Sequence, residues 1–182
     1  MAWSFYFLLR QPEVMQKLIV EVDTVLGQRQ PTFADVPQLP YARMVMQEAL
    51  RLYSPVYWIT RTAVEDDVID GYHIPAGSLV AIMSHAIHHH PNCWPNPTTF
   101  DPDRFSPERM KNRHPLAWIP FGAGQRQCIG KEFSLMEGQL ILAKVLQRFR
   151  LTAVPGKETA VHAATTIRPK GGVWVNLDKA AR

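Results

Sequence analysis

The sequence has little cysteine: Cys93 and Cys128 are the only two thiols in 182 residues. Two thiols are too few for the disulfide framework of a small secreted protein, and they agree with a reducing compartment. The chain also lacks a long lysine and arginine run and a nucleic-acid motif, so its formal net charge of +4 predicts no nucleic-acid partner. It has no internal repeat and no low-complexity linker. Its length is that of one ordinary domain.

The sequence contains no apolar run long enough to span a membrane. Residues 1–9 are apolar and aromatic, but they fall short of the ~20 residues that a bilayer requires. They also lack the basic start and the small-residue cleavage site of a signal peptide. We therefore expect no membrane segment in this chain and a cytoplasmic location, with an anchor in a longer parent chain left open. Because the first helical pattern opens without a capping residue, we expect the chain to be part of a longer protein.

Hydrophobic periodicity predicts a mainly α fold with small antiparallel β-sheets, an α+β class. The helices are predicted at residues 3–10, 12–26, 40–53 and 129–150, and a short capped turn at 32–38. The last helix carries apolar residues on two stripes, so we expect it to be buried on most sides. Residues 57–64, 68–69 and 78–83 predict one small antiparallel sheet, and residues 161–167 and 173–177 predict a closing hairpin.

Residues 121–130 combine one thiol, one guanidinium and three glycines directly before the last predicted helix. A cysteine at a helix start meets unpaired N–H groups and the positive end of the helix dipole, which favour the thiolate. A thiolate there suits a metal ligand or a nucleophile. Glycines let a large flat group approach the chain closely, and Arg126 offers a fork of donors that matches a carboxylate.

This loop resembles the haem-binding loop of the cytochrome P450 family, F-x-x-G-x-R-x-C-x-G. Its five fixed positions are filled by Phe121, Gly124, Arg126, Cys128 and Gly130. Five matches within ten residues are a specific signal, whereas a lone Cys-x-Gly would mean little. The alternative is a glycine-rich turn around a buried structural cysteine, which the further motifs make less favourable.

Two more motifs of the family precede the loop in the expected order. Glu48 and Arg51 match E-x-x-R, which alone would be an exposed helix ion pair worth a few tenths of a kcal/mol. Arg104 lies in a segment that resembles P-x-R-F. The resemblance implies that Glu48, Arg51 and Arg104 form a buried structural triad. It also assigns Arg61, ten positions after Arg51, to a haem propionate.

The resemblance implies that residues 1–182 are a single incomplete cytochrome P450 domain, the C-terminal haem-binding part. Cys128 would be the catalytic centre and the axial ligand of the iron in haem b (iron protoporphyrin IX). Arg126 and Arg61 would anchor propionates, Phe121 would shield the sulfur, and Gly124 and Gly130 would complete the cofactor-binding set. The implied function is a haem-thiolate monooxygenase that inserts one oxygen atom from O2 into a small hydrophobic organic substrate.

The implied electron donor is a ferredoxin or a flavoprotein reductase. Lys111, Arg113 and Lys131 are candidates for its basic docking face. Residues 57–60 and 164–166 are the substrate-contact candidates. The distal helix, its acid–alcohol pair and most of the substrate pocket of the family have no counterpart in this sequence.

Other functions stay open. The chain could be a truncated, non-catalytic haem-binding fragment. A cysteine hydrolase is disfavoured because no histidine is identifiable as its base. A metal site at His85, His88, His89, His90 and Cys93 is also disfavoured, since three consecutive histidines cannot share one face and no second ligand pair follows at zinc spacing. Cys93 is then a free thiol.

Overall fold

The computed structural model describes residues 1–180. The helices are α1 (Ala2–Arg10), α2 (Pro12–Leu26), α3 (Pro40–Leu52), α4 (Ser84–His88), α5 (Pro107–Met110) and α6 (Lys131–Arg148). The strands are β1 (Ile59–Thr62), β2 (Asp67–Ile69), β3 (Tyr72–Ile74), β4 (Leu79–Ile82), β5 (Phe149–Ala153), β6 (Val161–Ala163), β7 (Ile167–Pro169) and β8 (Val175–Lys179). Short 3-10 turns occupy Phe33–Gln38, Pro102–Phe105, Pro115–Ala117 and Gly124–Arg126. The predicted class, mainly helical with small antiparallel sheets, is confirmed.

The main core lies between α1, α2, α3 and α6. Leu18 and Val22 on α2, Val45 on α3 and Leu135 and Leu142 on α6 are all fully buried. The spacings of four residues on α2 and seven residues on α6 place these side chains on one face of their helix, as the sequence pattern predicted. Helix α2 begins with proline in its first turn and ends at a glycine, both favourable positions for these residues.

Helix α6 agrees with its prediction in burial but not in length. Leu135, Leu142 and Leu146 face the core, and the exposed positions are confined to residues 132, 133, 137, 141 and 148, so the expectation of burial on most sides is confirmed. The helix ends at Arg148 and the chain continues directly into β5, which periodicity did not reveal. Strand β5 escaped prediction because its apolar residues also fit the helical repeat.

The strands form four separate two-stranded antiparallel sheets, with pairs β1–β4, β2–β3, β5–β8 and β6–β7. The single sheet predicted for residues 57–83 is therefore two sheets, and β3 was missed. The predicted closing hairpin is also wrong: β8 pairs with β5, and β7 pairs with β6. Within residues 1–180, no helix combines the length and the apolar character needed to cross a bilayer.

Candidate functional site

The cysteine loop is closed by its own backbone. The amide of Cys128 donates to the carbonyl of Phe121 at 2.9 Å, and the amide of Gln127 donates to the carbonyl of Gly124 at 3.1 Å. Gly122 and Gly124 both have φ of +71°, in the left-handed region that other residues rarely adopt. The turn that returns the chain from Phe121 to Cys128 therefore depends on glycine at these positions.

Cys128 lies in the loop and not in the first turn of a helix. Helix α6 begins at Lys131, with Gly130 as its N-terminal cap, which is two residues later than the start predicted from the sequence. The thiol is exposed. A Cβ atom added at Gly130 would lie 3.8 Å from Sγ, an ordinary contact distance. The sulfur is thus accessible to a ligand, and the helix dipole acts on it from farther away than predicted.

An open groove of about 380 Å³ brings together four of the residues selected from the sequence: Arg61, Phe121, Arg126 and Cys128. Leu50, Val56 and Ile59 contribute to its apolar wall. Arg61 reaches the groove from β1, whereas the other three belong to the loop. Gly124 and Gly130 do not line the groove; they belong to the backbone turns on either side of the cysteine.

The groove contains two guanidinium groups without an acidic partner. Arg61 donates to the carbonyl of Thr60 at 2.8 Å. Within the described residues 1–180, neither Arg61 nor Arg126 forms an ion pair. Two cations beside an apolar wall and an accessible thiol favour a ligand that is largely apolar, carries acidic groups and accepts a sulfur ligand.

Glu48, Arg51 and Arg104 form a buried ionic cluster. Nε of Arg51 donates to Oε2 of Glu48 at 2.7 Å, and a second nitrogen of Arg51 donates to Oε1 at 2.8 Å. Nε of Arg104 lies 3.3 Å from the same Oε1. All three residues are at most 2% exposed. Burial raises the pKa of Glu48, and the hydrogen bonds from Arg51 oppose that rise.

The cluster also holds the proline-rich segment after α4. Arg51 donates to the carbonyls of Pro97 and Thr99, at 2.7 and 3.2 Å. Arg104 donates to the carbonyls of Pro95 and Asn96. Because guanidinium donors that are buried must find acceptors, the segment is folded around the two arginines.

His88 is a residue that sequence reasoning undervalued. Its Nε2 accepts a hydrogen bond from the amide of Ile119 at 2.9 Å, and its carbonyl accepts one from Arg51 at 2.7 Å. Burial, assisted by the charge of Arg51, lowers the pKa of His88 to about 3. The neighbouring rings of His85 and His89 instead contact each other, with ring centres 4.1 Å apart and planes tilted by 38°. A single sequence offers no signal that separates His88 from these neighbours.

Arg113 is not a free docking residue. Its guanidinium lies 4.1 Å from the ring centre of the fully buried Trp94, and it donates to the carbonyl of Arg104 at 2.8 Å. These contacts correct its placement on a solvent-exposed basic face. Lys111 is exposed and Lys131 is half-buried, with its Nζ 5.8 Å from the ring centre of Trp118.

The two substrate-contact candidates lie next to each other. The hydroxyl of Tyr57 donates to the carbonyl of Ala164 at 3.0 Å. The amide of Ile167 donates to the carbonyl of Pro55 at 2.9 Å. Residues separated by more than one hundred positions are thereby joined at the border of the groove.

Comparisons with known proteins agree with this architecture. The Cytochrome P450 family profile matches residues 1–173. A relative from Mycobacterium tuberculosis is 42% identical over 175 residues, covering 96% of this chain and 38% of that protein. Thromboxane-A synthase of Rattus norvegicus is 39% identical over 176 residues, and the match covers 94% of this chain and 33% of that protein.

A solved structure is also similar. The crystal structure of the cytochrome P450DA heme domain superimposes with a TM-score of 0.93 at 37% identity, over 99% of this chain and 40% of that one. The chain therefore spans about two fifths or less of the length of these relatives.

Proposed function

Since the chain belongs to the cytochrome P450 family, we propose that its groove is the thiolate side of a haem b site, with Cys128 as the axial ligand of the iron. The observation that carries the proposal is the meeting of Cys128, Arg61 and Arg126 at one groove with an apolar wall. Haem is a flat apolar group with two carboxylates, and it accepts a thiolate at iron. The donor set of the groove fits each of these properties.

Each residue has a separate task in this proposal. Cys128 provides the thiolate, and Arg61 and Arg126 bind the propionates through charge-assisted hydrogen bonds. Phe121 shields the sulfur from water, while the turns at Gly124 and Gly130 aim Cys128 at the iron. Bound haem supplies the redox chemistry. The buried cluster of Glu48, Arg51 and Arg104 stabilises the fold next to the loop, to which it is connected through His88.

For the complete protein we propose a monooxygenase that uses O2 to oxidise a small hydrophobic organic substrate. Electrons would come from a ferredoxin or a flavoprotein reductase, with Lys111 and Lys131 as contacts on the thiolate side. Residues 57–60 and 164–166 would border the substrate. We treat residues 1–182 as one incomplete domain, and the cytoplasmic location stays a prediction.

The test is the absorption spectrum of the haem-reconstituted, reduced, CO-bound chain. We expect a strongly red-shifted Soret band that Cys128→Ser abolishes and that Cys93→Ser, the other thiol, leaves unchanged. An unshifted band in the wild-type chain, or the same band in Cys128→Ser, would refute ligation by Cys128. A red-shifted band without turnover when substrates and electron donor are supplied would favour the non-catalytic haem-binding fragment.

A further inference from the structure

We propose that His88 is a positioning residue: it fixes the start of the cysteine loop against α3 by accepting the Ile119 amide. The inference deepens the proposed function, because it assigns a determinant of where Cys128 is held. It rests on contacts of this chain alone, so it can be tested whether or not haem binds.

His88 joins two parts of the molecule that are far apart in sequence. On one side, its carbonyl is held by Arg51, which is itself paired with Glu48 on α3. On the other side, its ring nitrogen Nε2 accepts from Ile119 at 2.9 Å. His88 is fully buried and Ile119 is 9% exposed, so water has little access to compete for this hydrogen bond.

The backbone continues from Ile119 directly to the cysteine. The carbonyl of Ile119 accepts from the amide of Gly122 at 3.0 Å, and the carbonyl of Phe121 accepts from the amide of Cys128 at 2.9 Å. The hydroxyl of Ser54, two residues after the end of α3, lies 3.4 Å from the carbonyl of Pro120. The backbones of Ile119, Pro120 and Phe121 are thus each held by a hydrogen bond, and the first of them is held by His88. A shift of Ile119 would be transmitted through these two hydrogen bonds to the backbone of Cys128.

The direction of the hydrogen bond determines which nitrogen of the His88 ring carries the proton. A backbone N–H can only donate, so Nε2 must be unprotonated and Nδ1 must carry the proton. Nδ1 is buried without a hydrogen-bond partner within residues 1–180. An unpaired buried donor is unfavourable, and an apolar ring would avoid it. The site therefore requires histidine because Nε2 accepts the Ile119 hydrogen bond. The ring stays neutral at physiological pH, in agreement with its lowered pKa.

Two substitutions separate the shape of the side chain from its acceptor. His88→Phe keeps a ring of similar volume but leaves the Ile119 amide unpaired, whereas His88→Gln loses the ring but offers Oε1 near the position of Nε2. We expect hydrogen exchange at the Ile119 amide to become about tenfold faster in His88→Phe and to be largely restored in His88→Gln. Ser84→Ala, at the other end of α4, is the control for a buried change that leaves this contact intact.

The second readout is spectroscopic. On haem reconstitution we expect a smaller red-shifted fraction of the Soret band in His88→Phe than in the wild type, and recovery in His88→Gln. Equal exchange at Ile119 in His88→Phe and the wild type would overturn the proposal, as would a His88→Gln variant that behaves like His88→Phe. If Cys128→Ser shows that Cys128 does not bind haem, the exchange measurement still decides the role of His88.

A measurement on the unmodified chain covers the case in which His88→Phe does not fold. Nitrogen chemical shifts of the His88 ring report its tautomer, and a scalar coupling between the Ile119 amide nitrogen and Nε2 reports the hydrogen bond directly. We expect a protonated Nδ1 and a detectable coupling. A proton on Nε2 would put two donors face to face and would exclude the proposed contact.

Discussion

Removal of the Glu48 carboxylate should destabilise the fold more than any surface change. In Glu48→Ala, Arg51 and Arg104 lose the acid they share, although both remain in a site where they are at most 2% exposed. The variant also loses the acceptor for the Asp101 amide, which donates to Oε1 at 2.9 Å. Removing one partner of such a buried ionic group costs about 3–5 kcal/mol. Because whole domains are stable by only about 5–15 kcal/mol, this is a large fraction of the total.

Urea denaturation followed by circular dichroism measures the effect. With a slope of about 2 kcal/mol/M, the expected loss lowers the midpoint by roughly 1.5–2.5 M without a change in slope. We also expect the capacity to bind haem to fall, since His88 connects Arg51 of this cluster to Ile119, which precedes the cysteine loop. Glu132→Ala is the matched control: its carboxylate pairs with Arg43 at 2.7 Å but is 67% exposed, so the loss should stay below about 1 kcal/mol.

The result that would refute this reasoning is an Ala variant at position 48 with unchanged melting and retained haem. An effect no larger than that of Glu132→Ala would mean that the carbonyls that already accept from the two arginines, such as those of Pro97 and Asn96, stabilise them sufficiently without the carboxylate. Glu48→Gln separates charge from shape. It keeps one acceptor oxygen and should lie between the wild type and Glu48→Ala.

Two further predictions concern packing and pH. A Cβ atom at Gly138 would lie 2.5 Å from Cε of Met46, so Gly138→Ala should lower the free energy of unfolding by about 1–3 kcal/mol. In a Met46→Ala background, where that contact is gone, the same substitution should raise it by up to about 1 kcal/mol. A substitution that destabilises in both backgrounds would contradict the close approach. The pKa of His88 is lowered from 6.5 to about 3, so between these values the unfolded state binds a proton that the folded state does not, and stability should fall with decreasing pH by about 1.4 kcal/mol per unit. Denaturation midpoints between pH 7 and 4 should show this extra pH dependence of stability in the wild type and not in His88→Gln. His85, His89 and Arg51 are present in both proteins, so the difference isolates His88. An equal pH dependence in the two proteins would contradict the lowered pKa.

Local sequence patterns predicted a large part of the helical scaffold. Helix α2 was predicted with its bounds because proline at its start, glycine after its end and a regular apolar repeat all act within a few residues. Helix α6 was overextended by two residues at each end. Its C-terminal error has a physical cause: Phe149 continues the helical repeat, but its backbone pairs with Lys179, a partner that no local pattern identifies.

The sequence by itself determined the chemistry available to this protein: one thiol among glycines, an arginine two residues before it, and a Glu–Arg pair on one helix. These are properties of short segments, since side-chain chemistry and turn-forming glycines do not depend on distant residues. The tertiary structure decided which of them meet. Arg61 joins Cys128 at one groove, Arg104 joins Glu48 in the buried ionic cluster, and His88 binds the amide of Ile119 while His85 and His89 contact each other. Such contacts arise from the packing of the whole chain, where burial selects the partner of each polar group.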